Sequence, residues 1–458
     1  MATMLFKNLA VATCDAQDAV LTDVHIITDG GKIASIGPET EIPGHLTAHR
    51  QEIDGSGCIA VPGLINCHHH LYQTLTRGLP EVQNATLFEW LVGQYPIWAN
   101  LTGEMVYTSA LVGMAELLRS GCTTVSDMSY VFPRHSDVRL DWVVAAARDL
   151  GVRLHAGRGS MSRGKSKGGL PPDDVVQEPD EILADTERLV RQFHEAAEFG
   201  MVRIDVMPCS PFSVTPELMR DSLAFARKEG LLAQTHLAET LDEEQYCLEN
   251  VGKRPLAYME ELGWLGPDVS FAHGIHLDDA EIAQVGRTGT GVVHCPSSNM
   301  RLASGIARVQ DLLDAGAPVA IGVDGSSSND AGSILGECRQ ALLAGRLKSG
   351  PRFSARQALS LATRNAARLL RRPELGILAP GKAADFAVFD LEQIEYAGAS
   401  AHDPLGALLL CQTTRPKYVV CGGRIIVADG RILTVDIERI VAQHNKLAKQ
   451  LVSMPVAT

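Results

Sequence analysis

The sequence predicts an α/β fold: a parallel barrel of eight strand–helix units, with a small β-sandwich contributed by both chain termini. Three observations point there. From about residue 59, short apolar runs alternate with longer stretches of helical periodicity. Residues 1–57 and the stretch after 373 show strand texture with turn pairs instead. The histidines and acids suited to chemistry fall at the same end of successive predicted strands, the end where a parallel barrel gathers its active groups.

Residues 1–57 are the N-terminal part of the sandwich. Leu5–Thr13 is a strand, and Val24–Thr28 and Lys32–Gly37 flank the hairpin turn Asp29-Gly30-Gly31. Ile53–Asp54 leads through Gly55 and Gly57 into the apolar run Cys58–Asn66, which opens a barrel over residues 58–372. Its other strands are Thr123–Asp127, Val152–Gly157, Val202–Cys209, Leu231–His236, Val269–His273, Gly291–Cys295 and Val319–Asp324. Helices are expected at Gly103–Leu118, Val138–Leu150, Pro179–Gly200, Pro216–Gly230, Asp242–Leu262 and Asp278–Thr288. A doubly wound open sheet is the alternative for such a pattern. Residues 355–371 add a helix. Residues 373–458 complete the sandwich: Gly376–Asp385 is turn-rich, Phe386–Asp390, Tyr418–Cys421 and Arg424–Ala428 are strands, and Asp436–Val452 is a closing helix.

A chain of 458 residues with 45% hydrophobic content suits a large barrel plus a satellite. The net charge of -13 argues against a nucleic-acid or membrane-surface role. Ten cysteines are scattered, none in C-x-x-C, and several sit in apolar runs as small core residues. A reducing cytoplasm fits them. Residues 1–15 show no secretory signal, and no apolar run approaches ~18 residues, so a cytoplasmic protein is expected.

The first barrel strand ends in Cys67-His68-His69-His70. Alternate strand residues point the same way, so His68 and His70 aim at one point while His69 faces away. Strand 5 ends in His236 with Glu239 three residues on; strand 6 ends in His273, strand 7 in His294 and strand 8 in Asp324. His68, His70, His236 and Asp324 are the expected ligands of one divalent metal. Such a donor set suits Zn²⁺, with Fe²⁺ as the alternative. The ion lowers the pKa of its water towards ~7. Glu239 is placed to carry a proton to a substrate nitrogen, and His273 to orient or deprotonate the water. A second metal needs a bridging lysine or carboxylate on strand 4. Val202–Phe212 has no lysine and Asp205 lies too early, so one metal is expected.

Bland readings exist for each residue alone. A single buried strand histidine is more often a satisfied core group than a ligand, and His294 fits a structural role as well as a functional one. A barrel kept only as a scaffold would be expected to lose ligands, whereas this set is complete. His25, His45, His49, His135, His194, His402 and His444 read as solvent-facing or capping. Gly159–Ser166 fits the phosphate-loop pattern G-x-x-x-x-G-K-S, but the following Gly168-Gly169-Leu170-Pro171-Pro172 cannot start the helix such a loop requires. A loop over the barrel mouth is expected there.

Pro62-Gly63, Asn66-x-His68-x-His70, His236-x-x-Glu239, His273 and Asp324 together resemble the amidohydrolase superfamily, specifically its mononuclear deaminase branch. The likeness spans the chain, including Gly376–Asp385. It implies a distorted (β/α)8 TIM-like barrel with a β-sandwich from both termini. It also implies deamination or hydrolytic dechlorination of an amino- or halo-substituted N-heterocycle. His70–Arg77, Pro208–Thr215, His236–Glu244 and His294–Gly305 are similar to the 8-oxoguanine deaminases. That likeness implies urate and ammonia as products, with His273 and Asp324 removing the water proton. Gln73, just after the metal strand, is the candidate to hydrogen-bond a ring carbonyl, and Trp90 and Tyr130 are candidate pocket walls, with packing the alternative for an aromatic in Leu87–Leu91. One stretch departs: Asp127-Met128-Ser129-Tyr130 stands where the likeness leads to histidine beside the aspartate. The s-triazine hydrolases are near neighbours, similar at Ser160-Met161, and guanine and isoxanthopterin are alternative substrates. Superfamily analogy implies a homo-oligomer, a dimer or larger, acting on a small molecule without nucleic acid or membrane.

Overall fold

The computed structural model describes residues 3–46 and 50–455. His49 and the side chain of His45 lie outside the described residues. Both termini feed one mixed sheet. It takes β1 (Thr3–Ala12), β2 (Val20–Asp29), β3 (Lys32–Pro38), β4 (Arg50–Asp54) and β5 (Cys58–Pro62) from the start of the chain.

The barrel follows, with β6 (Leu64–Asn66), β7 (His69–His70), β8 (Cys122–Ser129), β9 (Arg153–Ser160) and β10 (Val202–Pro208). It continues through β11 (Ala233–Leu237), β12 (Val269–His273), β13 (Gly291–His294), β14 (Val319–Ile321) and β15 (Asp324–Gly325). The terminal sheet resumes as β16 (Phe386–Asp390), β17 (Tyr418–Cys421), β18 (Arg424–Ala428) and β19 (Arg431–Ile432).

In the terminal sheet the order is β19-β18-β17-β16-β5-β1-β2-β3, with β4 beside β1. The two ends of the chain meet where β5 pairs antiparallel with β16, Val61 opposite Ala387. Period-two alternation explains how these strands are buried on both faces. Cys58, Ala60, Phe386 and Val388 face the sheet's own small core, where Phe6 meets Phe386 edge-on at 5.1 Å. Ile59, Val61, Ala387 and Phe389 face the main core shared with the barrel. A buried ion pair adds a second tie. Arg153 on β9 grips Asp385 with Nε at 2.6 Å and Nη2 at 3.0 Å.

The barrel strands run parallel in the order β6-β8-β9-β10-β11-β12-β13-β14. The two edges close through β7 and β15, with Asp324 opposite His69 and Gly325 opposite His70. Cys67 N also donates to Ile321 O at 2.9 Å. Closure excludes the open doubly wound sheet. It depends on Gly322, because a Cβ there would lie 2.7 Å from the His68 Cβ.

Several elements differ from the sequence expectation. Cys58–Asn66 is two strands, not one: the chain leaves the terminal sheet at Pro62 and enters the barrel at Leu64. The change happens at Gly63, where a Cβ would fall 2.2 Å from Thr123 Oγ1. The helix expected over Asp242–Leu262 is split into Leu241–Val251 and Pro255–Glu261. Gly252 at φ +68° ends the first piece, and Pro255 opens the second. His25 and His444 are buried rather than solvent-facing, 2.9 Å from Ser35 Oγ and 2.8 Å from Thr74 Oγ1. At the phosphate-loop pattern the structure agrees with the sequence reading that no helix starts there: Lys165–Lys167 is one 3-10 turn, and Ser166 gives its N–H and hydroxyl to Asp173. No helix among the described residues is long and apolar enough to cross a membrane.

Candidate active site

The seam that closes the barrel also builds the site. β7 and β15 bring His70 beside Asp324, and β11 delivers His236 from across the barrel. His68 lies in the link between β6 and β7. His68, His70, His236 and Asp324 each present a ligand atom, all within 4.8 Å of one another. His69 points away, its Nε2 near the spot a Cβ on Gly113 would occupy.

The protons decide what this cluster can hold. Each ligand imidazole faces an acceptor with its Nδ1: Gln234 Oε1 at 2.7 Å from His68, Met128 O at 2.8 Å from His70, and Cys209 O at 2.5 Å from His236. The Gln234 amide is itself oriented, because its Nε2 donates to Cys67 O at 3.2 Å and Ser270 Oγ at 3.1 Å. With each Nδ1 occupied by its acceptor, all three Nε2 atoms point inward, where each would offer a lone pair to a cation that displaced any proton there. His70 Nε2 and His236 Nε2 sit 3.1 Å apart, and His68 Nε2 has no hydrogen-bond partner among the described residues. Asp324 Oδ1 adds negative charge 3.3 Å from His70 Nε2 and 3.5 Å from His68 Nε2. Burial pushes His68 down to about 4 and His236 well below the ordinary imidazole range. Burial also pushes the Asp324 carboxyl up, but the adjoining His68 and His70 outweigh that and hold it ionised. Three inward lone pairs and a carboxylate in a buried space fit a divalent cation, and the N3O donor set is that of zinc enzymes.

Beyond the ligands lies a cavity lined by His70, His236, His273, Asp324 and Glu239. Burial, then the charge of Asp324, pushes the Glu239 carboxyl up to about 8, so it holds a proton at neutral pH. His273 Nε2 is 3.5 Å from Glu239 Oε2 and 4.0 Å from Asp324 Oδ2, while its Nδ1 faces Asn299 Oδ1 at 2.8 Å. His273 at φ +77°, Asp324 at +64° and Ala238 at +53° are left-handed non-glycine residues. Such strain gathers where a side chain is held for a purpose.

Gln73, Trp90 and Tyr130 all line the cavity. Gln73 is fully buried, and neither amide atom has a hydrogen bond among the described residues, which leaves both free for a ligand. Trp90 donates its indole N–H to Ser327 O at 3.1 Å, so it is a fixed wall. The Tyr130 ring meets His70 edge-on at 5.0 Å. His294 is buried but does not line the cavity, and burial holds it neutral.

Sequence reasoning passed over Gln234, Asn299, Tyr95 and Glu243. Gln234 stands two residues before His236, on the same strand face, so period two could have found it. Tyr95 continues the four-residue spacing Leu87, Leu91, Tyr95 along the helix Leu87–Trp98, and all three line the cavity.

Residues 59–426 match the amidohydrolase family. The chain is an amidohydrolase. This amidohydrolase is 45% identical over 452 residues to 8-oxoguanine deaminase of Pseudomonas aeruginosa, covering 98% of this chain and 99% of that one. It is 38% identical to hydroxydechloroatrazine ethylaminohydrolase of Pseudomonas sp. strain ADP, over 95% of this chain and 93% of the other. Among solved structures, zinc-complexed atrazine chlorohydrolase of Arthrobacter aurescens TC1 superposes with a TM-score of 0.92. That pair is 35% identical, over 97% of this chain and 100% of the other.

Proposed function

We propose that this amidohydrolase removes the amino group of an N-heterocycle by metal-dependent hydrolysis, and that its substrate is 8-oxoguanine, converted to urate and ammonia. One observation carries the reading: a buried, proton-bearing Glu239 faces a cation-binding His3Asp cluster across a single cavity. Likeness to the Pseudomonas aeruginosa deaminase supports the substrate. The zinc-bound relative supports Zn²⁺, held by His68, His70, His236 and Asp324. When bound, such an ion would supply Lewis acidity and bring the pKa of water towards ~7.

The chain's own groups divide the proton work. Glu239 donates to the ring nitrogen beside the reacting carbon, C2 in 8-oxoguanine. That proton makes the carbon more electrophilic. His273 keeps its Nδ1 against Asn299, so its Nε2 is free to accept a proton from the attacking water. Asp324, through Oδ2, shares that role. Water oxygen bonds to the ring carbon as one of its protons passes to His273; that proton is handed to the amine, the carbon–amine bond breaks and ammonia leaves, and the remaining hydroxyl proton returns to Glu239 as the ring carbonyl forms. Gln73 hydrogen-bonds a ring carbonyl, and Trp90 and Tyr130 wall the pocket.

The second reading is an s-triazine hydrolase, favoured by Met128-Ser129 standing where the sequence likeness leads to histidine beside the aspartate. Product analysis tests the first. Metal-replete enzyme with 8-oxoguanine should form urate and ammonium in equal amounts. No urate with 8-oxoguanine, together with turnover of an aminotriazine, would replace it by the second.

A further inference from the structure

We propose that Glu243 is a positioning residue for the reaction, acting through the backbone of Glu239; the inference rests on the role proposed above for Glu239. Thr240-x-x-Glu243 has the form of a helix capping box, in which the glutamate at the third helical position returns to the N–H of the capping residue. Three other boxes in this chain do so: Thr86 with Glu89, Asp278 with Glu281, and Ser354 with Gln357. Glu243 does not. Thr240 makes its half of the box, accepting from Glu243 N at 3.3 Å. The Glu243 carboxylate instead reaches past Thr240, with Oε1 accepting from Ala238 N and Oε2 from Glu239 N, both at 2.9 Å.

The detour is costly, which is why it calls for a reason. Glu243 is 1% exposed, and no cation pairs with it among the described residues. A buried carboxylate without a counter-ion is tolerated where its hydrogen bonds do something the fold needs. Here they fix one turn. Ala238 holds φ +53°, and its carbonyl accepts from both Ile275 N and His276 N at 2.9 Å. Ala238 is therefore clamped from two sides, by Glu243 through its N–H and by the turn after His273 through its oxygen. Glu239 leaves this turn directly, with its own N–H in the same carboxylate. The clamp sets where the Glu239 carboxyl stands relative to His273, the pair that handles protons at 3.5 Å. A glutamine side chain at this position could not reproduce it, because an amide offers one acceptor oxygen and turns a second donor towards a donor.

A double-mutant cycle tests the assignment, using metal-replete wild type, E239Q, E243Q and E239Q/E243Q. We expect E243Q to lose about 10- to 100-fold in kcat, with KM and metal content unchanged. With Glu239 already removed, the second change should cost nothing further, so the double variant should match E239Q. A merely structural role would instead add its full loss to that of E239Q. Additive losses, an E243Q with wild-type kcat, or a loss confined to KM or metal content would each overturn the proposal. Should E243Q fail to fold, E243D keeps the buried charge but shortens its reach to the N–H groups of Ala238 and Glu239. It should likewise lose kcat only while Glu239 is present, and a wild-type kcat for E243D would overturn the proposal. E239Q retaining near-wild-type turnover is a different outcome: it removes the role of Glu239 itself.

Discussion

The three ligand imidazoles each direct Nδ1 outward, and that choice of tautomer is what turns a histidine cluster into a cation site. Their outer partners are therefore part of the ligand set. Gln234 is the one that can be changed without touching backbone, since the other two acceptors are the carbonyls of Met128 and Cys209. Gln234→Leu should weaken metal affinity by ~10- to 100-fold while leaving the ligands in place. Competition with a coloured chelator measures it, and unchanged affinity would mean His68 needs no such support. At this scale the sequence was informative about which groups meet, since His68, His70, His236 and Asp324 cluster and Glu239 lines the cavity beside them, each at or just after a strand end. It was silent about carbonyl acceptors, which any residue supplies, and about Glu243, whose spacing from Thr240 is that of an ordinary helix cap.

At the scale of elements, the seam between β7 and β15 does two jobs. It closes the barrel, and it sets the substrate pocket beside the metal ligands. Gly325 shows the coupling: a Cβ there would lie 1.8 Å from Gln73 Oε1. The amide is the far end of a flexible side chain, so Gly325→Ala should fold but push Gln73 aside. The expected result is a KM raised ~10-fold, the worth of about one hydrogen bond, with metal content unchanged. A wild-type KM would remove Gln73 from substrate binding. The tie between β9 and the terminal sheet is a separate matter of stability. Arg153→Met leaves Asp385 buried without its partner and should cost ~3–5 kcal/mol in chemical unfolding. A cost below ~1 kcal/mol would show the pair to be dispensable. Element types were legible from periodicity because the barrel strands are apolar runs at regular intervals. The kink at Gly63 was not, since Cys58 to Ile65 carries no polar side chain and a change of sheet leaves no mark in hydrophobicity.

Over the whole molecule, the metal cluster joins residues from positions 68 to 324, so binding an ion stabilises the entire barrel by mass action. Removing it with a chelator should lower the thermal midpoint, and returning Zn²⁺ should restore it. A His68→Ala protein should already sit at the lower midpoint and ignore the chelator. Equal shifts in both proteins would place the stabilising ion elsewhere. The central claim concerns the substrate, and kcat/KM for ammonia release tests it most directly. The metal-replete enzyme would be compared on 8-oxoguanine, guanine, isoxanthopterin and a hydroxylated aminotriazine. The highest value is expected on 8-oxoguanine, with Met128-Ser129 a tolerated variation. Turnover of the triazine alone would contradict the claim, and would mean that the pocket wall at residues 127–130 sets the substrate.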